Sequence, residues 1–148
     1  MIIDTLSWGE VEVNSEQVFH FPKGIPGFEE ESEFALISIE DHSFWYLQST
    51  KEKSLSFLLS DPFLFYPSYE FDLPDDEAEE LEIQSQLIVR CVITLKDKVE
   101  ETTINLLAPL VFNPELGVGK QIVLHNSPYH TKHSLLTVEP NVDGKAGD

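Results

Sequence analysis

Three histidines near the C-terminus, His125, His130 and His133, are the first residues whose types could do chemistry, and that chemistry would be zinc binding. Their spacing forms neither H-E-x-x-H nor a Cys/His ligand set, and Cys91 lies far away in the chain. They read as loop and surface histidines. Gly117-Val118-Gly119-Lys120 offers glycines before a lysine, the raw material of a phosphate loop. A P-loop needs an earlier glycine four residues ahead of Gly-Lys-Ser/Thr, and Gln121 stands where the hydroxyl residue belongs. Glu70 to Glu82 (EFDLPDDEAEELE) carries eight acids and no base. Calcium binding of the EF-hand type needs alternating ligands around a central glycine, which this stretch lacks. No G-x-S-x-G elbow and no Cys with a partner His supplies a nucleophile. Paired carboxylates are abundant in so acidic a chain and therefore uninformative. The expectation is no enzyme, no metal and no cofactor, with a carboxylate-based or metal-dependent enzyme of unknown substrate as the alternative.

The chain that must position these residues has 148 of them, 41% hydrophobic, which suits one domain with a single core. Its net charge of −18 repels phosphate backbones, so direct nucleic-acid binding is not expected. A basic protein partner is favoured instead. The single cysteine forms no internal disulfide and fits a reducing compartment. Cys91 sits in the apolar run LIVRCVITL and reads as a small buried hydrophobe. MIIDTLSWGEVEV does not read as a signal peptide, and no stretch approaches the roughly 20 apolar residues of a membrane helix. A cytoplasmic monomer without membrane contact is expected.

Along the chain, Leu6, Trp8, Val11 and Val13 predict two short strands around Gly9. Phe21 to Glu30 (FPKGIPGFEE) demands a stiff loop, because two prolines and two glycines exclude helix and central strand. Phe28 is expected to plug that loop onto the core. Phe34 to Ile39 and Phe44 to Gln48 form a hairpin about Glu40 to Ser43, and Leu55 to Leu59 continues the series. Asp61 to Pro67 reads as an edge strand or irregular crossing. Asp75 after Pro74 predicts an N-cap, with Asp76, Glu77, Glu79 and Glu80 in the first turns of the one helix expected. Leu87 to Leu95 and Thr103 to Leu107 are strands joined by a charged connection, and Ile122 to Leu124 is another. The tail from residue 137 to 148 is expected to fray. The fold class is mainly β: a small antiparallel barrel-like or sandwich single domain, residues 1–136, with one short acidic helix.

An acidic helix beside Phe65, Tyr66, Tyr69 and Phe71 is what a binding module for a basic or amphipathic partner would display. A solvated acidic face over an ordinary core accounts for the same composition equally well.

Several motifs in order resemble one family. FPKGIPGFEE is similar to the N-terminal turn of the flagellar assembly factor FliW family. Phe44 to Glu70 resembles that family's central block, and NLLAPLVFN with QIVLHNSPYHTKHSL its closing segment. The chain departs from the pattern at Ser68, in place of a usual Asp, and at Lys132-His133-Ser134, in place of Arg-His-Pro. The resemblance implies a small β-barrel-like domain and a non-enzymatic regulator of flagellum assembly. It implies two partners, newly made flagellin and the RNA-binding translational repressor CsrA, captured in turn so that flagellin level governs flagellin translation. On that basis Asp72, Asp75, Asp76, Glu77, Glu79 and Glu80 are the expected CsrA-facing surface. Phe65, Tyr66, Tyr69 and Phe71 are the expected flagellin groove.

Overall fold

In a computed structural model of the chain, residues 1–39, 43–82, 86–125 and 127–135 are described. The fold is built outward from a meander of β4 (Glu33–Ser38), β5 (Phe44–Ser49) and β6 (Ser56–Ser60). Leu36 lies opposite Leu47, and Leu47 opposite Phe57. Alternation along a strand sends every second side chain to one face, and Phe34, Leu47 and Leu59 on that face are fully buried. β3 (Val18–His20) flanks β4, and β7 (Ile88–Thr94) flanks β6. β9 (Leu110–Asn113) pairs with β7, and β10 (Val118–Gln121) pairs with β9. β10 then meets β3 in parallel at Val118 opposite His20, closing a seven-stranded barrel. β1 (Ile2–Thr5) and β2 (Gly9–Glu12) form a separate hairpin, whose Ile3 packs with Val13 on Ala35.

The barrel interior is aromatic. Phe19 meets Phe112 edge-on at 5.0 Å, and Phe21 meets Phe34 at 5.5 Å. Gly119 lets β10 approach this cluster, since a Cβ there would stand 2.8 Å from Phe21 Cζ. At Gly24 the backbone has φ +65°, and a Cβ would lie 2.6 Å from Glu29 Cα, so the FPKGIPGFEE loop requires glycine at its turn.

β7 is covered on both faces, which explains its nearly continuous apolar sequence. Ile88 and Val92 pack with the interior, while Cys91 and Ile93 pack in a second cluster with Tyr69, Ile104 and Leu106. Its far edge is shared by two strands. β8 (Thr103–Ile104) pairs with Ile93 and Thr94, and β9 pairs with residues 88–90. From Ile104 to Leu110 the chain advances six residues while β7 recedes three, from Ile93 to Arg90, so three residues are looped out. The excursion 105–109 is clamped by Asn105 Oδ1, which accepts from Leu107 and Ala108 N–H. β11 (His133–Ser134) lies on the outside of β8.

The mainly β, barrel-like class holds, with several local differences. A second helix exists: α1 (Pro62–Phe65), where an edge strand or irregular crossing was expected. Asp61 caps it, accepting from Phe63 N–H, and Pro62 takes the first helical position. α2 (Asp75–Glu80) begins one residue away from expectation, with Pro74 rather than Asp75 at the N-cap. Leu6 and Trp8 lie in the hairpin turn, because Thr5 Oγ1 accepts from Trp8 N–H and donates to the Gly9 carbonyl. Phe28 is 44% exposed, leaning on Phe57 at 5.5 Å, and Ile25 does the plugging. Strand β10 stops at Gln121 instead of covering 122–124, and the strand expected through Leu107 ends at Ile104. Glu40 to His42, expected as a hairpin turn, Leu136 and the tail 137–148 lie outside the described residues.

Candidate functional site

From Asp61 to Leu81 the chain forms a strap across the outside of the barrel, and every candidate site residue lies on it. Tyr69 anchors its middle: its hydroxyl donates to the Leu106 carbonyl at 2.8 Å, on the looped-out excursion. Tyr69 is 3% exposed, and burial, with Cys91 close by, pushes its phenol well above the usual value. Burial also pushes the Cys91 thiol up to about 12, so it stays a neutral packing group. Asn113 anchors the end, donating from Nδ2 to the carbonyls of Leu81 (2.8 Å) and Glu82 (3.1 Å).

The charged anchor is Lys120 of β10, whose ammonium donates to Glu77 and, at 2.7 Å, to Glu80. Lys23 reaches Glu80 at 2.9 Å from the FPKGIPGFEE loop. Hydrogen bonds from Lys120 and then Lys23 hold the Glu80 carboxyl below its ordinary value. Burial pulls Lys120 down, but its bonds to Glu77 and Glu80 outweigh that and leave it raised. The acidic block therefore divides. Glu77 and Glu80 are used to dock α2, while Asp72, Asp75, Asp76 and Glu79 are exposed and make no ion pair among the described residues.

The aromatic candidates also divide. Phe65 packs against Phe44 at 6.3 Å. Tyr66 donates its hydroxyl to the Ser134 carbonyl, and its ring meets His133 edge-on at 5.6 Å. Tyr69 is core. Phe71 is half-buried and lines an open groove of about 440 Å³ between the strap and the segments 122–125 and 127–129. Pro74, Ile122, Leu124 and Tyr129 share that lining, and Glu70, Asp72 and His125 supply its polar groups.

The histidines do not converge on a metal. His130 and His133 stack at 5.5 Å, and His133 Nε2 accepts from the His130 N–H at 2.8 Å. Burial, then His130, lowers His133 from its usual value and keeps it a neutral acceptor. The His130 carbonyl in turn accepts from Leu106 N–H (3.2 Å) and Leu107 N–H (3.1 Å). Among the described residues, no group of three His, Cys, Asp or Glu is placed to hold a metal ion, and no helix is long and apolar enough to cross a membrane. Sequence reasoning missed Lys120 as the partner of the acidic helix, and missed the 122–125 wall of the groove. The available signal was an isolated lysine in an apolar strand of a strongly acidic chain.

The closed β-barrel is a fold that this chain shares with a flagellar assembly protein. A solved structure described as the crystal structure of the flagellar assembly factor FliW superposes with a TM-score of 0.86 at 38% identity, covering 93% of this chain and 98% of its own. The FliW protein family profile matches residues 2–135. The flagellar assembly factor FliW of Bacillus pumilus is 42% identical over 138 residues, which are 91% of this chain and 96% of that protein. That of Desulfitobacterium hafniense is 44% identical over 138 residues, 91% of each chain. The chain belongs to the FliW family of flagellar assembly factors.

Proposed function

We propose that this protein is a non-enzymatic, cytoplasmic regulator that binds flagellin and, when flagellin is exported, captures the translational repressor CsrA. The supporting observation is one surface: Asp72, Asp75, Asp76 and Glu79, free of ion pairs among the described residues, beside a groove lined by Phe71. An RNA-binding repressor carries basic surface, and a chain of net charge −18 attracts it while repelling RNA itself. Glu77 and Glu80 serve this surface indirectly by holding α2 in place. A flagellin terminus is amphipathic and helical, and the groove at Phe71 offers the apolar strip such a helix needs. Tyr69 supports that strip from the core side, its ring 5.7 Å from Phe71, while Phe65 and Tyr66 pack in the same cluster behind it. The protein acts as a monomer, without nucleic acid or membrane contact.

Calorimetric titration with CsrA and, separately, with flagellin from the same organism tests the reading. Saturable binding of both is expected, with the CsrA isotherm weakened by added salt. Binding of neither overturns it.

A further inference from the structure

Past Gln121, where β10 ends, the chain stays bonded to residues 107–109 along one edge and leaves the other edge open. In a paired strand the N–H and C=O groups of successive residues turn to opposite edges. Ile122 N–H donates to the Pro109 carbonyl and Leu124 N–H to the Leu107 carbonyl, both at 2.9 Å. Gln121 and Val123 therefore turn theirs to the other edge. On that edge β3 pairs at one position, Val118 opposite His20, and then leaves. Pro22 has no N–H to give, and Gly24 N–H closes a turn on the Phe21 carbonyl at 2.8 Å. Among the described residues no backbone group pairs with Val123 on that edge. Val123 is also 49% exposed between buried Ile122 and Leu124, and it lines the groove with Phe71 and Pro74.

Charge decides what fits there. Glu70 and Asp72 stand on the groove, and Asp75 and Asp76 stand on the adjoining helix. Lys120 and Lys23, the lysines that reach α2, are already bonded to Glu77 and Glu80. The groove thus combines an unpaired backbone edge, an apolar floor and acids that make no ion pair among the described residues.

The geometry points to a strand-addition site: the edge at Val123 takes an extended segment of a partner protein in which Lys or Arg alternates with aliphatic residues. The segment's backbone pairs with Val123, its aliphatic side chains lie over Phe71 and Pro74, and its cations meet Glu70 and Asp72. This deepens the partner-capture reading and rests on it only for which protein supplies the segment.

The test uses the full chain, labelled with ¹⁵N, and a blocked octapeptide of alternating Lys and Val. Two further peptides carry N-methyl groups on the Lys or on the Val residues. Saturable shifts are expected at residues 121–125 and 71–73, with hydrogen exchange of the Val123 amide slowed. One N-methylated peptide should bind about tenfold more weakly and the other like the parent, because a strand pairs through one edge. Shifts confined to residues 75–80 would reveal charge attraction alone and overturn the site. Equal binding of all three peptides would overturn it too. Flagellin and CsrA are titrated into the same sample as a separate arm. If both bind while Val123 stays silent to the peptides, the edge site fails and partner capture stands. If the peptide binds and neither protein does, partner capture fails and the edge site stands.

Discussion

Lys120 on β10 holds Glu80 on α2 at 2.7 Å, tying the acidic helix to the barrel wall while its Glu77 neighbour shares the same ammonium. Replacing Lys120 by Met leaves two carboxylates facing a partly buried surface. After allowance for solvent screening at Glu80, the expected loss is about 1–2 kcal/mol, read as a lower midpoint in urea. Because Glu80 is held below 4.5, its share of stability is complete above pH 4.5 and is lost as pH falls through the lowered value. Lys120→Met should therefore flatten the acid side of the stability profile, and Lys120→Arg should restore most of it.

Gly119→Ala puts a methyl group against Phe21 in a core with no room to yield. A loss of about 1–3 kcal/mol is expected by thermal or urea unfolding. Combining it with Phe21→Leu should cost less than the sum of the two single changes, since the smaller side chain relieves the contact.

Tyr69 and Phe71 are two residues apart and should behave differently. Tyr69→Phe leaves the buried Leu106 carbonyl without its donor and should cost about 1–3 kcal/mol, with flagellin affinity unchanged in the folded fraction. Phe71→Ala should weaken flagellin binding with a smaller change in melting temperature. Equal effects of both changes on stability alone would remove Phe71 from the groove assignment.

Lys substitution at Asp72, Asp75, Asp76 and Glu79 should slow CsrA association and flatten its salt dependence. The melting temperature should hold at Asp72 and Glu79 and fall slightly at Asp75 and Asp76, which lie in the first turn of α2. Lys substitution at Glu80 should lower the melting temperature as well, because it opposes Lys120 and Lys23. Stopped-flow association at two salt concentrations, with a parallel melt, separates the two groups.

His133 is neutral in the fold, its value lowered from 6.5 by burial and by His130. Its contribution is complete above pH 6.5 and is lost as pH falls through the lowered value, when Nε2 can no longer accept from His130 N–H. His133→Gln should remove that step from the stability profile between neutral and mildly acidic pH.

Local sequence carried the meander, the stiff FPKGIPGFEE loop and the acidic helix. Alternation, proline and glycine placement and helix-end charge all act within a few residues. The Asp61-Pro62 cap of α1 was equally local and was masked by the apolar residues around it. The run Thr103 to Asn113 reads as one apolar stretch, yet it forms two strands separated by an excursion. Only its pairing with β7 creates the three-residue slip, and the slip places the Leu106 carbonyl under Tyr69. The same holds for the site. Eight acids in one segment are visible in the chain, but which of them are neutralised depends on a lysine 40 residues beyond Glu80. The sequence by itself determined the charge, the meander, the stiff loop and the acidic helix. Tertiary structure decided which acids remain free, which aromatics are core and where a groove opens, because each depends on residues brought together from distant parts of the chain.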